Sequence, residues 1–165
     1  MIVAGNMFLK KDKRYSIANN IFTINSVKRT DSGYYSCVYQ HDNDRINVTH
    51  SLDVYYKPNI KIKQDAIDVV MGSSATLNCE ATGNPNPKIT WKKSEGRMPS
   101  GAEEEIGNNI TFEDVDRHVG GSYVCTASNG VGSPATAQRE IIVSYEPEIR
   151  TENVNTYDLK IFFKQ

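Results

Sequence analysis

The 165-residue sequence contains one tryptophan, three histidines and three cysteines, and neither sign of charge is in excess. Each shortage removes a class of function. With 19 Lys and Arg against 20 Asp and Glu, the net charge of −1 supplies no general attraction to nucleic acid or an anionic membrane. Lys61, Lys63, Lys88, Lys92, Lys93 and Arg97 are balanced by acidic residues and have no aromatic stacking series among them, as a polyanion groove would. His41, His50 and His118 lie far apart, without metal-ligand spacing, and no Ser, Cys or carboxylate constellation surrounds them. The sequence therefore reads as a non-enzyme with no cofactor and no metal. Glu103 to Glu105 read as a solvated turn between strands rather than a cation site. A sustained 3.6-residue apolar stripe is missing too, which leaves little room for an α-helical core.

Alternation is what the sequence has instead. Ala75, Leu77 and Cys79 alternate with polar residues, as do Ile89 with Trp91 and Tyr123 with Cys125, so these segments read as half-buried strands. Asn129 with Gly130 predicts a tight primed hairpin turn, and Asn84 to Pro87 breaks the chain between two strands. A hydrophobic content of 38% and a mean hydropathy of −0.52 suit a globular all-β chain with modest cores.

The sequence also repeats. Gly33, Tyr35 and Cys37 recur as Gly121, Tyr123 and Cys125, 88 positions along, and Phe22, Ile24 and Val27 recur in the same register as Ile110, Phe112 and Val115. The match extends past each unit, where Tyr56, Pro58 and Ile60 correspond to Tyr145, Pro147 and Ile149. A matched frame of this length marks a tandem array. In the second unit Cys79, Trp91 and Cys125 have the spacing of an inter-sheet disulfide packed against a buried tryptophan, with Tyr123 as a tyrosine corner two residues before the second cysteine. That frame resembles an immunoglobulin-type β-sandwich.

On this resemblance the fold class is all-β: tandem immunoglobulin-like sandwiches, with an incomplete V-type module over 1–56, a complete I-set module over 57–146 and the truncated start of a third over 147–165. Cys37 takes the later-strand position of a module whose earlier cysteine and tryptophan belong before residue 1, so its disulfide partner is expected to be missing; a free thiol for intermolecular pairing is the alternative. Residues 1–9 are apolar but lack a basic leader and a small-residue cleavage pattern, so they read as edge strands rather than a signal peptide, followed by a strand at Arg14 to Ile17. Met1 is then not expected to be the biological start. Variable-type modules commonly bridge an arginine opening one strand to the aspartate of the corner, which makes Arg14 and Asp31 an expected salt bridge. Tyr35 is the corner tyrosine and a core residue of this module. Val119 stands where the first module has Asp31, so the second corner is expected to lack the bridge and to be looser.

Gly83, Pro85, Pro87, Ile89 and Trp91, then Ala127, Asn129, Gly130, Val131 and Gly132, then Tyr145, Pro147 and Ile149, carry a narrower likeness. They resemble lachesin and its relatives, the invertebrate neural surface proteins related to vertebrate IgLON proteins. That resemblance implies three modules, a lipid anchor outside this sequence, and adhesion or recognition at the extracellular side of the plasma membrane. The implied partners are the protein itself or related immunoglobulin-superfamily surface proteins, met through an exposed face of the first module. A receptor ectodomain and an intracellular structural array are the alternatives.

Strand alternation with Tyr35, Cys37 and Tyr39 inward puts Ser36, Val38 and Gln40 on the outer face. Val38 and Gln40, beside an edge carrying Ile2, Val3, Met7 and Phe8, form the candidate partner-binding face; the apolar members could equally fill the module's own core, and Ile46 and Val48 share that ambiguity. Two acceptor sequons, Asn47 with Thr49 and Asn109 with Thr111, fall at strand edges or turns where a glycan would face solvent.

Overall fold

The computed structural model describes residues 12–41, 44–61 and 65–146. Among these residues thirteen strands account for nearly all of the regular structure, with one short 3-10 turn at Arg29–Asp31. Among the described residues there is no α-helix, hence none long and apolar enough to cross a membrane.

Four strands form the first group: β1 (Tyr15–Ala18), β2 (Ile21–Ile24), β3 (Gly33–His41) and β4 (Asp44–Leu52). β1 and β2 make one antiparallel hairpin and β3 and β4 another. Asn19 and Asn20 turn the first hairpin with positive φ values of 50° and 62°, a conformation that asparagine tolerates better than most residues. The hairpins meet through aromatic rings: Phe22 of β2 lies 5.7 Å from Tyr15 and 5.7 Å from Tyr35 of β3. The strand expected from Arg14 begins one residue later, with Arg14 in the turn before it.

The second group runs β5 (Tyr56–Lys61), β6 (Ala66–Val70), β7 (Ala75–Asn78), β8 (Glu80–Asn84), β9 (Lys88–Lys93), β10 (Glu105–Ile106), β11 (Asn109–Phe112), β12 (Gly121–Ser128) and β13 (Ala135–Ser144). One layer is a five-stranded sheet in the order β10-β9-β12-β13-β6. The other comprises the pairs β11-β7 and β5-β8, joined because only Cys79 separates β7 from β8. β6 pairs with β13 in parallel, from Ala66 with Glu140 to Val70 with Ser144, so the opening strand pair of this module is split between the two layers. The alternation seen in sequence sets the layers face to face. Ala75, Leu77 and Cys79 of one, and Ile89, Trp91, Tyr123, Cys125 and Ala127 of the other, are buried, while Thr76, Asn78, Lys88 and Lys92 are exposed.

Among the described residues the buried hydrophobic cluster belongs to this second group, from Val69 to Ile141. Cys79 and Cys125 join the layers as a disulfide with Cα atoms 6.5 Å apart. Trp91, Tyr123 and Cys125 have no exposed surface. The Trp91 indole N–H donates to the Gly107 carbonyl at 3.0 Å, which satisfies the one polar atom that its burial would otherwise orphan.

The Asn129–Gly130 dipeptide does not make the tight turn expected of it. β12 stops at Ser128 and β13 resumes at Ala135, so the connection is longer, with Gly130 and Gly132 at positive φ. The asparagine side chain is used elsewhere: its amide N–H₂ donates to the Tyr56 carbonyl at 2.9 Å and the Pro85 carbonyl at 2.8 Å, while its Oδ1 accepts from the Val131 N–H at 3.0 Å. Three segments distant in sequence are thereby tied at one residue, and the turn is shaped by that tie rather than by dipeptide preference.

Candidate interaction face and the corner beneath it

The cross-strand register of β3 and β4 decides which residues share a face, because directly opposed residues point to the same side. Tyr35 opposes His50, Cys37 opposes Val48 and Tyr39 opposes Ile46. These six form the inner side, since Tyr35 packs its ring on Phe22. Ile46 and Val48 therefore belong to the core-facing set. The hairpin β1–β2 reaches only the Tyr35 end of that side; Cys37, a free thiol, and Tyr39, Ile46 and Val48 are exposed among the described residues.

Tyr34 with Ser51, Ser36 with Thr49, Val38 with Asn47, and Gln40 with Arg45 make up the outer side. Tyr34 is 82% exposed, and Val38 is half-buried between polar neighbours. Ser36 Oγ and Thr49 Oγ1 hydrogen-bond across the strands at 2.8 Å. The face is thus a flat two-strand surface with one large aromatic, one aliphatic and a polar surround. Val38 and Gln40 lie on it as expected from alternation; Ile2, Val3, Met7 and Phe8 fall outside the described residues. Tyr34 was available to the same reasoning, being one residue out of phase with inward Tyr35.

A charged corner holds the base of β3. Asp31 is 3% exposed, and its carboxylate accepts from both ends of the Arg14 guanidinium, Nη1 at 2.5 Å and Nη2 at 2.8 Å, from the Lys28 backbone N–H at 2.6 Å and from the Tyr15 hydroxyl at 3.1 Å. The two-pronged fit matches guanidinium to carboxylate geometry. Arg14, then the Lys28 N–H, hold the Asp31 carboxyl well below the usual carboxylate range, and Asp31, then Asp12, raise the guanidinium's already high pKa. Asp12, bonded to Arg14 Nη2 at 2.8 Å, is likewise lowered by that arginine. Burial, then its bond to Asp31, pushes the Tyr15 phenol up.

Both modules close this corner with the same hydrogen bond. The Tyr35 hydroxyl donates to the Asp31 carbonyl at 2.5 Å, and the Tyr123 hydroxyl donates to the Val119 carbonyl at 2.6 Å. Because the acceptor is backbone, replacing aspartate by valine costs the second corner its ion pair but not its latch. Nor is that turn loose. Val119 is buried in the core, and Asp116 Oδ1 accepts from the His118 N–H at 2.8 Å and the Val119 N–H at 3.2 Å, while Lys93 caps the His118 carbonyl.

The segment from Asp53 to Tyr56 is gripped from both sides. The Val54 N–H donates to Ser32 Oγ at 3.0 Å, and the Arg29 guanidinium lies over the Tyr56 ring at 4.2 Å. From the other side Asn84 Nδ2 donates to Asp53 Oδ1 at 2.5 Å and the Val54 carbonyl at 3.0 Å, and Asn129 reaches the Tyr56 carbonyl. Arg29 had no sequence signal of its own, and Asn84 was legible only as the start of a chain break, because the grip of each is a tertiary contact. Among the described residues no group of three or more His, Cys, Asp or Glu gathers in metal-binding geometry.

A family model for the immunoglobulin domain matches residues 57–129. Lachesin of Schistocerca americana is 29% identical over 157 residues, covering 90% of this chain and 45% of its own length. Neuronal growth regulator 1 of Gallus gallus is 32% identical over 156 residues, covering 91% of this chain and 43% of its own length. The chain belongs to the immunoglobulin superfamily. It spans less than half the length of the curated relatives it matches. Its structure is similar to a chain in the crystal structure of Dpr2 Ig1–Ig2 in complex with DIP-Theta Ig1–Ig3, with TM-score 0.74 and 32% identity, covering 88% of this chain and 53% of that one.

Proposed function

We propose that this chain is part of a cell-surface adhesion or recognition protein that binds a second copy of itself or a related immunoglobulin protein through the outer face of β3 and β4. The observation that carries this reading is the outward Tyr34–Val38–Gln40 row, in which Tyr34 and Gln40 are exposed and Val38 is half-buried, opposed by Ser51, Asn47 and Arg45. An exposed aromatic among polar, adaptable neighbours is the composition of a recognition patch. The similar crystal structure is itself a complex of Dpr2 Ig1–Ig2 with DIP-Theta Ig1–Ig3. Binding, not catalysis, is the role proposed.

The rest of the architecture follows as part of the same proposal. Residues 1–56 belong to a V-type module, 57–146 to an I-set module and 147–165 to the start of a third, in a protein of the outer side of the plasma membrane. The Cys79–Cys125 pairing suits an oxidising compartment.

Bead clustering tests the reading. Chain 1–165, refolded oxidatively from bacteria so that it carries no glycan, is displayed in many copies on fluorescent beads, alone and mixed with beads bearing related immunoglobulin chains. Clustering is expected, with Tyr34→Ala reducing it about tenfold, as for the loss of an aromatic anchor worth ~1.4 kcal/mol. Equal clustering by wild type and Tyr34→Ala would remove this face from the reading, and no clustering with any partner would remove the reading itself.

A further inference from the structure

We propose that Asn47 is an N-glycosylation site whose glycan closes the outer face of β3 and β4, so that occupancy of this one asparagine sets whether the face is open to a partner. The inference rests on the reading that this face is the contact surface.

Asn47, Val48 and Thr49 lie in mid-strand on β4, and β4 is exposed from Asp44 to Ser51. Residues two apart in a strand share a face, so Asn47 and Thr49 point to the same side while Val48 points inward. The register fixes that side. Asn47 opposes Val38 and Thr49 opposes Ser36, with the Ser36–Thr49 hydroxyl pair at 2.8 Å marking the shared surface. Opposed Cβ atoms stand ~5 Å apart and diagonal ones ~7–8 Å. A sugar on Asn47 Nδ2 is therefore rooted beside Val38 and within one diagonal of Ser36 and Gln40, in the middle of the row a partner would cover. A partner burying ~800 Å² there would have to desolvate the glycan's hydroxyl groups or leave the face.

The second sequon makes the contrast. Asn109 lies on β11 opposite Asn78 of β7, on the outer side of the other module's smaller layer. Its Oδ1 accepts from Asn78 Nδ2 at 2.5 Å, and Thr111 Oγ1 meets Thr76 Oγ1 at 3.0 Å. That bond leaves Asn109 Nδ2, the nitrogen that would carry the sugar, outside it. A glycan there leaves the β3–β4 face clear. In either case the chemistry is transfer from a lipid-linked oligosaccharide pyrophosphate: the asparagine Nδ2 forms a bond to the anomeric carbon and loses one proton, and the bond from that carbon to the pyrophosphate oxygen breaks.

The test compares the glycan-free chain with the same 1–165 chain secreted from cultured eukaryotic cells behind an added leader, as wild type, Asn47→Gln, Thr49→Val, Thr49→Ser and Asn109→Gln. Peptide mass spectrometry after enzymatic deglycosylation in heavy-oxygen water reads occupancy, and bead clustering reads binding. Asn47 is expected to be occupied. Each variant is measured against its own glycan-free form: secreted wild type, Thr49→Ser and Asn109→Gln should cluster at least fivefold less than that form, whereas secreted Asn47→Gln and Thr49→Val should match it. The Thr49 pair separates loss of the sequon from loss of the side chain. An unmodified Asn47, or an occupied Asn47 with secreted wild type clustering as strongly as the glycan-free chain, overturns the inference and leaves the contact reading standing. A glycan-free chain that never clusters overturns the contact reading beneath it.

Discussion

Removing the Tyr123 hydroxyl isolates the corner latch of the second module. Tyr123 has no exposed surface, and its hydroxyl donates to the carbonyl of buried Val119 at 2.6 Å. Tyr123→Phe keeps the ring, its 5.4 Å contact with Phe112 and its place under Lys93, so the change is confined to one hydrogen bond and the carbonyl it leaves unpaired. An unsatisfied buried acceptor costs ~1–3 kcal/mol, and at ~4–8 °C per kcal/mol for a module of this size the midpoint should fall by at least ~4 °C. Trp91 is the single tryptophan and is fully buried in the same core, so its fluorescence in a urea or thermal melt reports this module without interference from the first. A pH series adds an independent mark. Burial, then the charges of Glu105 and Asp116, pushes the Tyr123 phenol up to about 12. The unfolded chain, with its ordinary phenol near 10, therefore loses that proton first, and wild-type stability should fall between about pH 10 and 12. The phenylalanine variant has no such proton, so the gap between the two should narrow across that interval. A stability change below ~0.5 kcal/mol at neutral pH, or a gap that stays constant into alkali, would refute the latch.

Reducing the Cys79–Cys125 disulfide, or replacing both residues by serine, reopens a loop with a sequence separation of 46, for which chain entropy gives ~4 kcal/mol, and the Trp91 signal should show a loss of ~2–4 kcal/mol in urea melts. Gly83→Ala would place a Cβ 2.8 Å from Pro87 Cγ and 2.9 Å from Asn129 Nδ2, so it should cost ~1–3 kcal/mol in the same melts; Asn129→Ala should lose part of that by itself, and the double variant should cost less than the sum. Asp31→Asn should speed protease cleavage within the β1–β2 hairpin at pH 7. Because the Asp31 carboxyl is held below its ordinary range, its contribution is complete above about pH 4 and lost as pH falls further, so wild type and variant should be cleaved alike only in strong acid.

The repeated frame is legible in sequence because it depends on spacing along strands, which is a property of the chain itself. Cys79, Trp91, Tyr123 and Cys125 sit at inward positions fixed by a period of two, and the structure puts all four in the core. The Arg14–Asp31 pair was reached through family likeness alone, since nothing in residues 17 positions apart points to contact. What stayed hidden is set by pairing register and by tertiary grip. Whether Ile46 and Val48 face inward depends on which residue of β3 each opposes, and a one-residue slip would reverse the answer. The Asn129–Gly130 turn looked tight because a dipeptide preference is local, whereas Asn129 is bound to Tyr56 and Pro85, 73 and 44 residues away in sequence. Val119 looked like a loss because the expected acceptor was a side chain, and the bond goes to a carbonyl.

The parallel pairing of β6 with β13 has a mechanical consequence. A protein stretched between two cells carries tension through each module from its first strand to its last. In this module the load meets β5 and its antiparallel ladder with β8 first; once that ladder gives way it passes to β6 at Ala66 and leaves beyond Ser144, which lie at opposite ends of the parallel ladder. Pulling therefore slides β6 along β13 in shear and strains the ladder's hydrogen bonds together, where an antiparallel hairpin such as β3–β4, pulled from its open end, would peel one bond at a time. The parallel β6–β13 ladder thus gives the second module a strand pair that resists extension in shear.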